Sequence, residues 1–211
     1  CIHLQWQKVL LELNRCGDVQ VVIATDHYFE LIETLTKQMQ QFGLSSRVVG
    51  CTKDVDHHLK PKHTFSLSTD PNLDPNGKDS NVVLVMNSAL VGSVKATRDF
   101  WQTLMNQLHG KEQYPDKVLL VDDFGYNETG DVDYRNSATR RRAQTVAHLN
   151  DCFPTSIVHD FPFHVLHQTP GSTEAEAAFC ACALQATDWL WQQVQSKDAV
   201  SSEPGGWTAL L

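Results

Sequence analysis

Apolar positions along the chain switch repeatedly between helical and strand spacing. Leu4, Val9, Leu10 and Leu13 fall on one helical face, and Cys16-Gly17 closes that stretch, Gly17 being able to take the left-handed conformation that ends a helix. Residues 19–24 (VQVVIA) are short, β-branched and almost unbroken, the pattern of a strand buried on both faces. Thr25 and Asp26 suit the N-cap of the next segment, where Phe29, Ile32, Leu35, Met39 and Phe42 share a helical face before Gly43 stops it. Arg47-Val48-Val49 then opens a second strand.

Residues 51–81 turn polar and carry Pro61, Pro71, Pro75 and Gly77, which predicts a long loop leaving the second strand, in the place where loops are functional or mobile. Residues 82–86 predict a third strand. Leu90, Val94, Thr97, Trp101, Leu104 and Leu108 predict one amphipathic helix ended by Gly110, and residues 117–121 (KVLLV) predict a fourth strand ahead of Asp122-Asp123. A helix over 137–150 and a strand at 156–158 follow. The last helix is expected to be capped by Thr173, with Glu176 reaching back, and to run past Trp191. Helix alternating with strand is the unit of a parallel sheet, because parallel neighbours need a crossover. The expected fold is therefore α/β, a Rossmann-like open, mainly parallel sheet with helices on both faces. It forms one domain over residues 1–196, followed by a C-terminal tail over 197–211 that contains Pro204-Gly205-Gly206.

Charge narrows the partners. A net charge of -8 counts against nucleic acid and anionic membrane surfaces, which need a surplus of Lys and Arg. The one basic run, Arg140-Arg141-Arg142, can hold a phosphate or lie solvated on a polar helix face. No apolar run reaches the roughly 20 residues of a membrane span. Six cysteines without a CxxC pair fit a reducing compartment and small buried thiols. An intracellular, cytoplasmic protein is the expectation. Because the chain starts on Cys1, we expect a processed chain or a segment of a longer one, and an organelle stays open.

In open α/β sheets ligands settle at the carboxyl ends of the strands. The segments there are residues 24–28, 52–58, 122–126 and 159–161. They offer carboxylates for Mg²⁺, a lysine for phosphate and an aspartate able to act as base, a set suited to phosphoryl transfer. Asp122-Asp123 also matches the acidic pair of a Walker B strand or a receiver domain, or simply caps a turn. Cys51, His57, His58 and His63 lie in one loop and can gather Zn²⁺, although their spacing matches no standard pattern. Trp189 and Trp191 read as core or interface aromatics, and an apolar last helix makes a protein partner or a second lobe plausible.

The order of these pieces resembles the phosphofructokinases, above all the pyrophosphate-dependent branch. Residues 11–59 are similar to that family's helix, strand, Gly-Gly-Asp loop, helix, strand and Pro-Lys-Thr-Ile-Asp-x-Asp loop, with Val48-Val49-Gly50 as the lead-in. Residues 87–94 are similar to the start of a following family helix, and residues 118–126 and 145–161 to the later Met-Gly-Arg strand and the helix-strand pair after it. The resemblance implies that Asp26 is the metal-linked aspartate and that Mg²⁺ is the cofactor of an active copy. It implies that Lys53 grips phosphate, that Asp56 is the base that deprotonates the sugar hydroxyl, and that Thr25, Gly125 and Asp160 line the phosphate and substrate site. A sugar phosphate or pyrophosphate would be the ligand.

Departures from the pattern are concentrated where anions would bind. Ala24 and Thr25 replace the phosphate-loop glycines, His27 and Tyr28 replace small residues, Asp54 replaces the threonine of the second loop, His58 its last aspartate, and Tyr126 the sugar-phosphate arginine. Side chains obstruct the backbone amides that approach phosphate, and each lost charge-assisted contact costs about 1.5–3 kcal/mol. The expectation is a degenerate phosphofructokinase-like domain with a structural, regulatory or assembly-subunit role and little or no catalysis. One alternative is an active pyrophosphate- or ATP-dependent enzyme. Another rests on residues 82–123, whose strand, helix and strand also resemble the back half of deviant ParA/MinD-type ATPases; it is a nucleotide-binding or interaction module without a P-loop, since no G-x-x-x-x-G-K-[ST] occurs.

Overall fold

The computed structural model describes residues 2–49, 82–108, 114–127, 132–165, 172–196 and 207–211. Its elements follow in the order α1 (Gln5–Arg15), β1 (Val19–Thr25), α2 (Leu31–Gln41), β2 (Ser45–Val49), β3 (Val82–Asn87), α3 (Ser88–Val91), α4 (Arg98–Leu108), β4 (Lys117–Asp122), α5 (Val132–Cys152), β5 (Ile157–Pro162), α6 (Thr173–Gln195) and β6 (Trp207–Leu210). The strands form one six-stranded sheet in the order β2-β3-β1-β6-β4-β5, with every pairing parallel. The fold is the open α/β sheet that the alternation of helix and strand predicts.

Two apolar layers cover the sheet. Val21, Ile23, Val85, Leu119 and Ala209 point to the face on which α1, α2 and α6 lay Leu10, Leu13, Met39, Ala186 and Leu190. Val22, Leu84, Met86, Leu120 and Leu210 point to the other face, under Phe100, Trp101 and Leu104 of α4 and Leu149 of α5. Strands buried on both faces must be apolar at successive positions, which is why β1, β3 and β4 read as nearly unbroken runs. The crossovers β1 to β2 and β5 to β6 run over the first face toward the β2 edge, whereas β3 to β4 and β4 to β5 run over the second toward the β5 edge. Opposite travel on opposite faces gives all of them one hand, as the crossover rule requires.

Several boundaries differ from the sequence reading. The expected helix through residues 90–108 is two helices, because Gly92 takes φ 75° and closes α3, and residues 92–97 form a loop before α4. α1 ends at an extended Cys16, and Gly17 is not left-handed. α2 starts at Leu31 without a side-chain cap, so Thr25 and Asp26 are free of that task. The cap of α6 is Ser172 rather than Thr173, its hydroxyl accepting from the Ala175 amide at 3.0 Å.

The largest correction concerns the tail. Residues 207–210 form β6 in the middle of the sheet, pairing β1 on one side and β4 on the other, and Leu211 continues the ladder by exchanging hydrogen bonds with Val22 O and Ala24 N at 2.8 Å each. The strand follows Pro204-Gly205-Gly206 directly and is too short to display a period, so it is invisible to pattern reading. At the opposite, amino end of the sheet the buried Lys117 of β4 donates to Ser196 O at 3.1 Å and Ser196 Oγ at 3.2 Å, placing a cation on the carbonyl end of α6. Trp189 packs on Phe161 with ring centroids 5.6 Å apart, so it is a core aromatic. No helix among the described residues is long and apolar enough to cross a membrane.

If β6 is a core strand, Leu210→Ala should cost about 2–5 kcal/mol of stability, read as a lower urea midpoint at unchanged slope. A loss below about 0.5 kcal/mol, the effect of a typical surface substitution, would return residues 207–211 to the status of a tail.

Candidate functional site

β1 and β3 are neighbours whose chains depart in opposite directions, so the crevice beyond their carboxyl ends is the topological switch point, where open α/β sheets receive ligands. The residue that commands this crevice is Lys95, in the loop between α3 and α4. Its amide donates to Asp26 Oδ1 at 2.8 Å, its carbonyl accepts from the buried Trp101 indole at 2.7 Å, and its ammonium donates to Asp122 Oδ2 at 2.7 Å. The Lys95 side chain is 21% exposed and that of Asp122 9%. Burial pushes the Lys95 ammonium down, but the Asp122 carboxylate, its hydrogen bond, and the charges of Asp26 and Asp123 more than offset this and leave its pKa above the ordinary value.

Neighbouring loops are tied to the same network. Asn87, fully buried at the end of β3, donates to His27 O at 2.9 Å and accepts from the Ala89 amide at 2.9 Å, joining the β1 loop to α3. After β4 the chain turns through Phe124 at φ 52° and Gly125 at φ 76°. Asp122 Oδ1 and Asp123 Oδ1 each accept from the amide two residues on, at 2.8 Å. A Cβ on Gly125 would lie 2.4 Å from the Arg141 guanidinium, so glycine serves both the backbone angle and the approach of α5. Asn127 bridges to the next loop, donating to Phe163 O at 2.7 Å and accepting from the Val165 amide at 2.8 Å. Beside it His164 stacks on Tyr126 with centroids 3.9 Å apart. Its Nε2 is buried without a hydrogen-bond partner among the described residues, and burial pushes its pKa below the ordinary value.

The residues expected from sequence separate accordingly. Asp26 stands at the switch point, exposed, with one carboxylate oxygen engaged by the Lys95 amide. Thr25 is buried in the last position of β1, opposite Asn87, and its hydroxyl accepts from the His27 amide at 3.2 Å. Gly125 lies in the β4 turn. Asp160 is not at a carboxyl end: β5 extends to Pro162, so Asp160 lies within the edge strand opposite Leu120 and pairs with Arg142 Nε at 2.5 Å. Lys53 and Asp56 lie outside the described residues, as do Asp54, Cys51, His57, His58 and His63. Of the basic run, Arg141 packs on Gly125 and Arg142 holds Asp160. Sequence reasoning missed Lys95 because it placed residues 90–108 in one helix; Gly92-Ser93 inside that pattern is the signal that a break occurs there.

With the geometry in place, comparison adds no relative: no protein-family model matches the chain, and no curated protein or solved structure matches it.

Charge pairing at Lys95 makes a signed prediction. Asp122→Asn strands a buried ammonium and should cost about 3 kcal/mol or more, and the double variant with Lys95→Met should recover part of it, with a coupling above about 1 kcal/mol. Because the folded pKa of Lys95 is raised, the pair's contribution is fully present below the unfolded value near 10.5 and is lost as pH rises through the folded value. Alkaline melts should therefore show a pH-dependent loss that Lys95→Met removes. Gly125→Ala should cost about 1–2 kcal/mol through its left-handed backbone, and urea titration measures it.

Proposed function

We propose that this chain is a non-catalytic α/β module with a structural, regulatory or assembly-subunit role, descended from a nucleotide- or phosphosugar-binding fold whose ligand end has been closed by its own side chains. One observation carries this reading. The amides at the carboxyl ends of β1, β3 and β4 that would meet an anion, those of His27, Ala89, Lys95, Phe124 and Gly125, each donate to an oxygen of Thr25, Asn87, Asp26, Asp122 or Asp123. An incoming phosphate would have to displace charge-assisted bonds and approach three carboxylates, while Lys95, the lysine at the crevice among the described residues, is already paired. Tyr28, 85% exposed beside Asp26, presents an aromatic surface where the phosphate loop of the resembled family has a small residue.

The lineage that best suits this module is the deviant ParA/MinD type. The strand, helix and strand over residues 82–123 that resemble this type fold as β3, α3 with α4, and β4, which supports the reading. The proposed role is the same under either ancestry, because both place their anion at the end of the sheet that is closed here.

Ligand titration tests the proposal. ATP, pyrophosphate and fructose 6-phosphate, each with Mg²⁺ at about 100 times a micromolar dissociation constant, would add about 2.7 kcal/mol and raise the melting temperature by several degrees if bound there. The expected result is a shift below about 1 °C and no phosphate transfer or release. Turnover of fructose 6-phosphate that disappears in Asp56→Ala, or ATP hydrolysis that disappears in Asp122→Asn, would overturn it.

A further inference from the structure

On the face of the sheet that α1 and α6 cover, the N-terminal segment meets the first turns of α6. His3 Nε2 lies 2.8 Å from Glu176 Oε1, and Cys180 Sγ lies 3.7 Å from the same oxygen. The three donor atoms all fall within 4.8 Å of one another. We propose that His3, Glu176 and Cys180 form a binding site for a borderline-soft divalent metal, with Zn²⁺ the natural occupant, which clamps the N-terminal segment onto α6.

Spacing, chemistry and anchoring each support this. Glu176 and Cys180 are four residues apart, so they present ligands from one face of α6 on successive turns. Tetrahedral Zn²⁺ with bonds of about 2.0–2.1 Å to N and O and about 2.3 Å to S places N and O about 3.3 Å apart and S and O about 3.6 Å apart. The Cys180 to Glu176 distance already matches, and the His3 to Glu176 distance must open by about half an ångström. A neutral imidazole with one carboxylate and one thiolate balances the charge of a divalent ion, and the set of N, O and S donors selects Zn²⁺ or Co²⁺ over Mg²⁺ and Ca²⁺. The His3 ring packs on Phe179, centroids 4.7 Å apart. The preceding residue is fixed by Gln38, whose Oε1 accepts from the Ile2 amide at 2.7 Å while its Nε2 donates to Ile2 O. The histidine therefore arrives on a backbone that is already held.

Without metal the site is closed by protons. Nδ1 of His3 accepts from the Gln5 amide at 3.2 Å, so Nε2 carries the hydrogen and donates it to Glu176. On coordination the Nε2 lone pair goes to the metal, the ring proton moves to Nδ1, the Gln5 amide turns to water at the exposed start of α1, and the Cys180 thiol releases its proton to solvent. A solvent molecule completes the fourth position.

Cobalt spectroscopy on the full, tag-free, reduced chain decides the matter. Titration with Co²⁺ should give, at one equivalent, visible bands of a four-coordinate ion and a near-ultraviolet thiolate-to-cobalt charge-transfer band, both erased by Zn²⁺. Cys180→Ser should remove the charge-transfer band, His3→Ala should weaken binding at least tenfold, and Zn²⁺ should raise the melting temperature of the parent chain but not of Cys180→Ser. No charge-transfer band would overturn the proposal. So would a band that survives Cys180→Ser and disappears in Cys51→Ser, which would place the metal on the histidine-bearing loop.

Discussion

Everything in this fold depends on a four-residue strand that joins the two halves of the sheet. Among the described residues β1 and β4 share no hydrogen bonds with each other; both pair with β6, on either side. Every peptide group of β6 is buried between two neighbours, with Ala209 in one apolar layer and Leu210 in the other. Unpaired backbone in that position would cost far more than the apolar burial of so short a strand returns, so the two halves of the sheet and the two layers form together or not at all. α6 packs on the face over which the chain returns from the β5 edge to the middle of the sheet.

The carboxyl end of the sheet meets the same demand by a different route. Beyond the last ladder bonds, loop amides point into the space where a ligand would sit, and in an active nucleotide or phosphosugar fold the ligand's oxygens satisfy them. Here Asp26, Asn87, Asp122 and Asp123 satisfy them. The carboxylates place negative charge at this end of the sheet, and Lys95 offsets part of it across the crevice by pairing with Asp122. The result is a loop network whose amides are satisfied within the chain, tied through Asn87 to the β1 loop and through Asn127 to the segment after β5.

Legibility in the sequence followed burial. Strands β1, β3 and β4 are long enough and apolar enough on both faces to announce themselves, and α1 and α2 carry a clear apolar face, so the alternation of elements and the parallel sheet could be read directly. Elements whose identity depends on tertiary partners could not. β6 has no period of its own. Asp160 looked like a residue at a strand end because His159 and Asp160 interrupt the apolar pattern, yet β5 is an edge strand, where polar residues persist within the ladder. Thr25 and Asp26 could be placed at the carboxyl end of a strand because β1 is legible. Lys95 could not, because local periodicity favours an unbroken helix through it.

That last case shows which force decides. From residue 88 to residue 108 the intrinsic preference is helical, and a continuous helix would bury Val94, which is instead 48% exposed. The break is fixed at three points: Gly92 adopts the left-handed angle, the Trp101 indole holds the Lys95 carbonyl, and Asp26 and Asp122 hold its amide and ammonium. A neutral residue at position 95 could still leave the helix, but nothing would direct it over the crevice, since a hydrogen bond to solvent serves as well in many positions. A charged group inside a poorly solvated end has far fewer acceptable places, and only one puts it against Asp122. At the other end of the sheet the Lys117 ammonium donates to Ser196 O and Oγ and so caps the carbonyl end of α6. The ion pair at the carboxyl end therefore specifies a conformation, that of the loop lying over the crevice beyond β1 and β3.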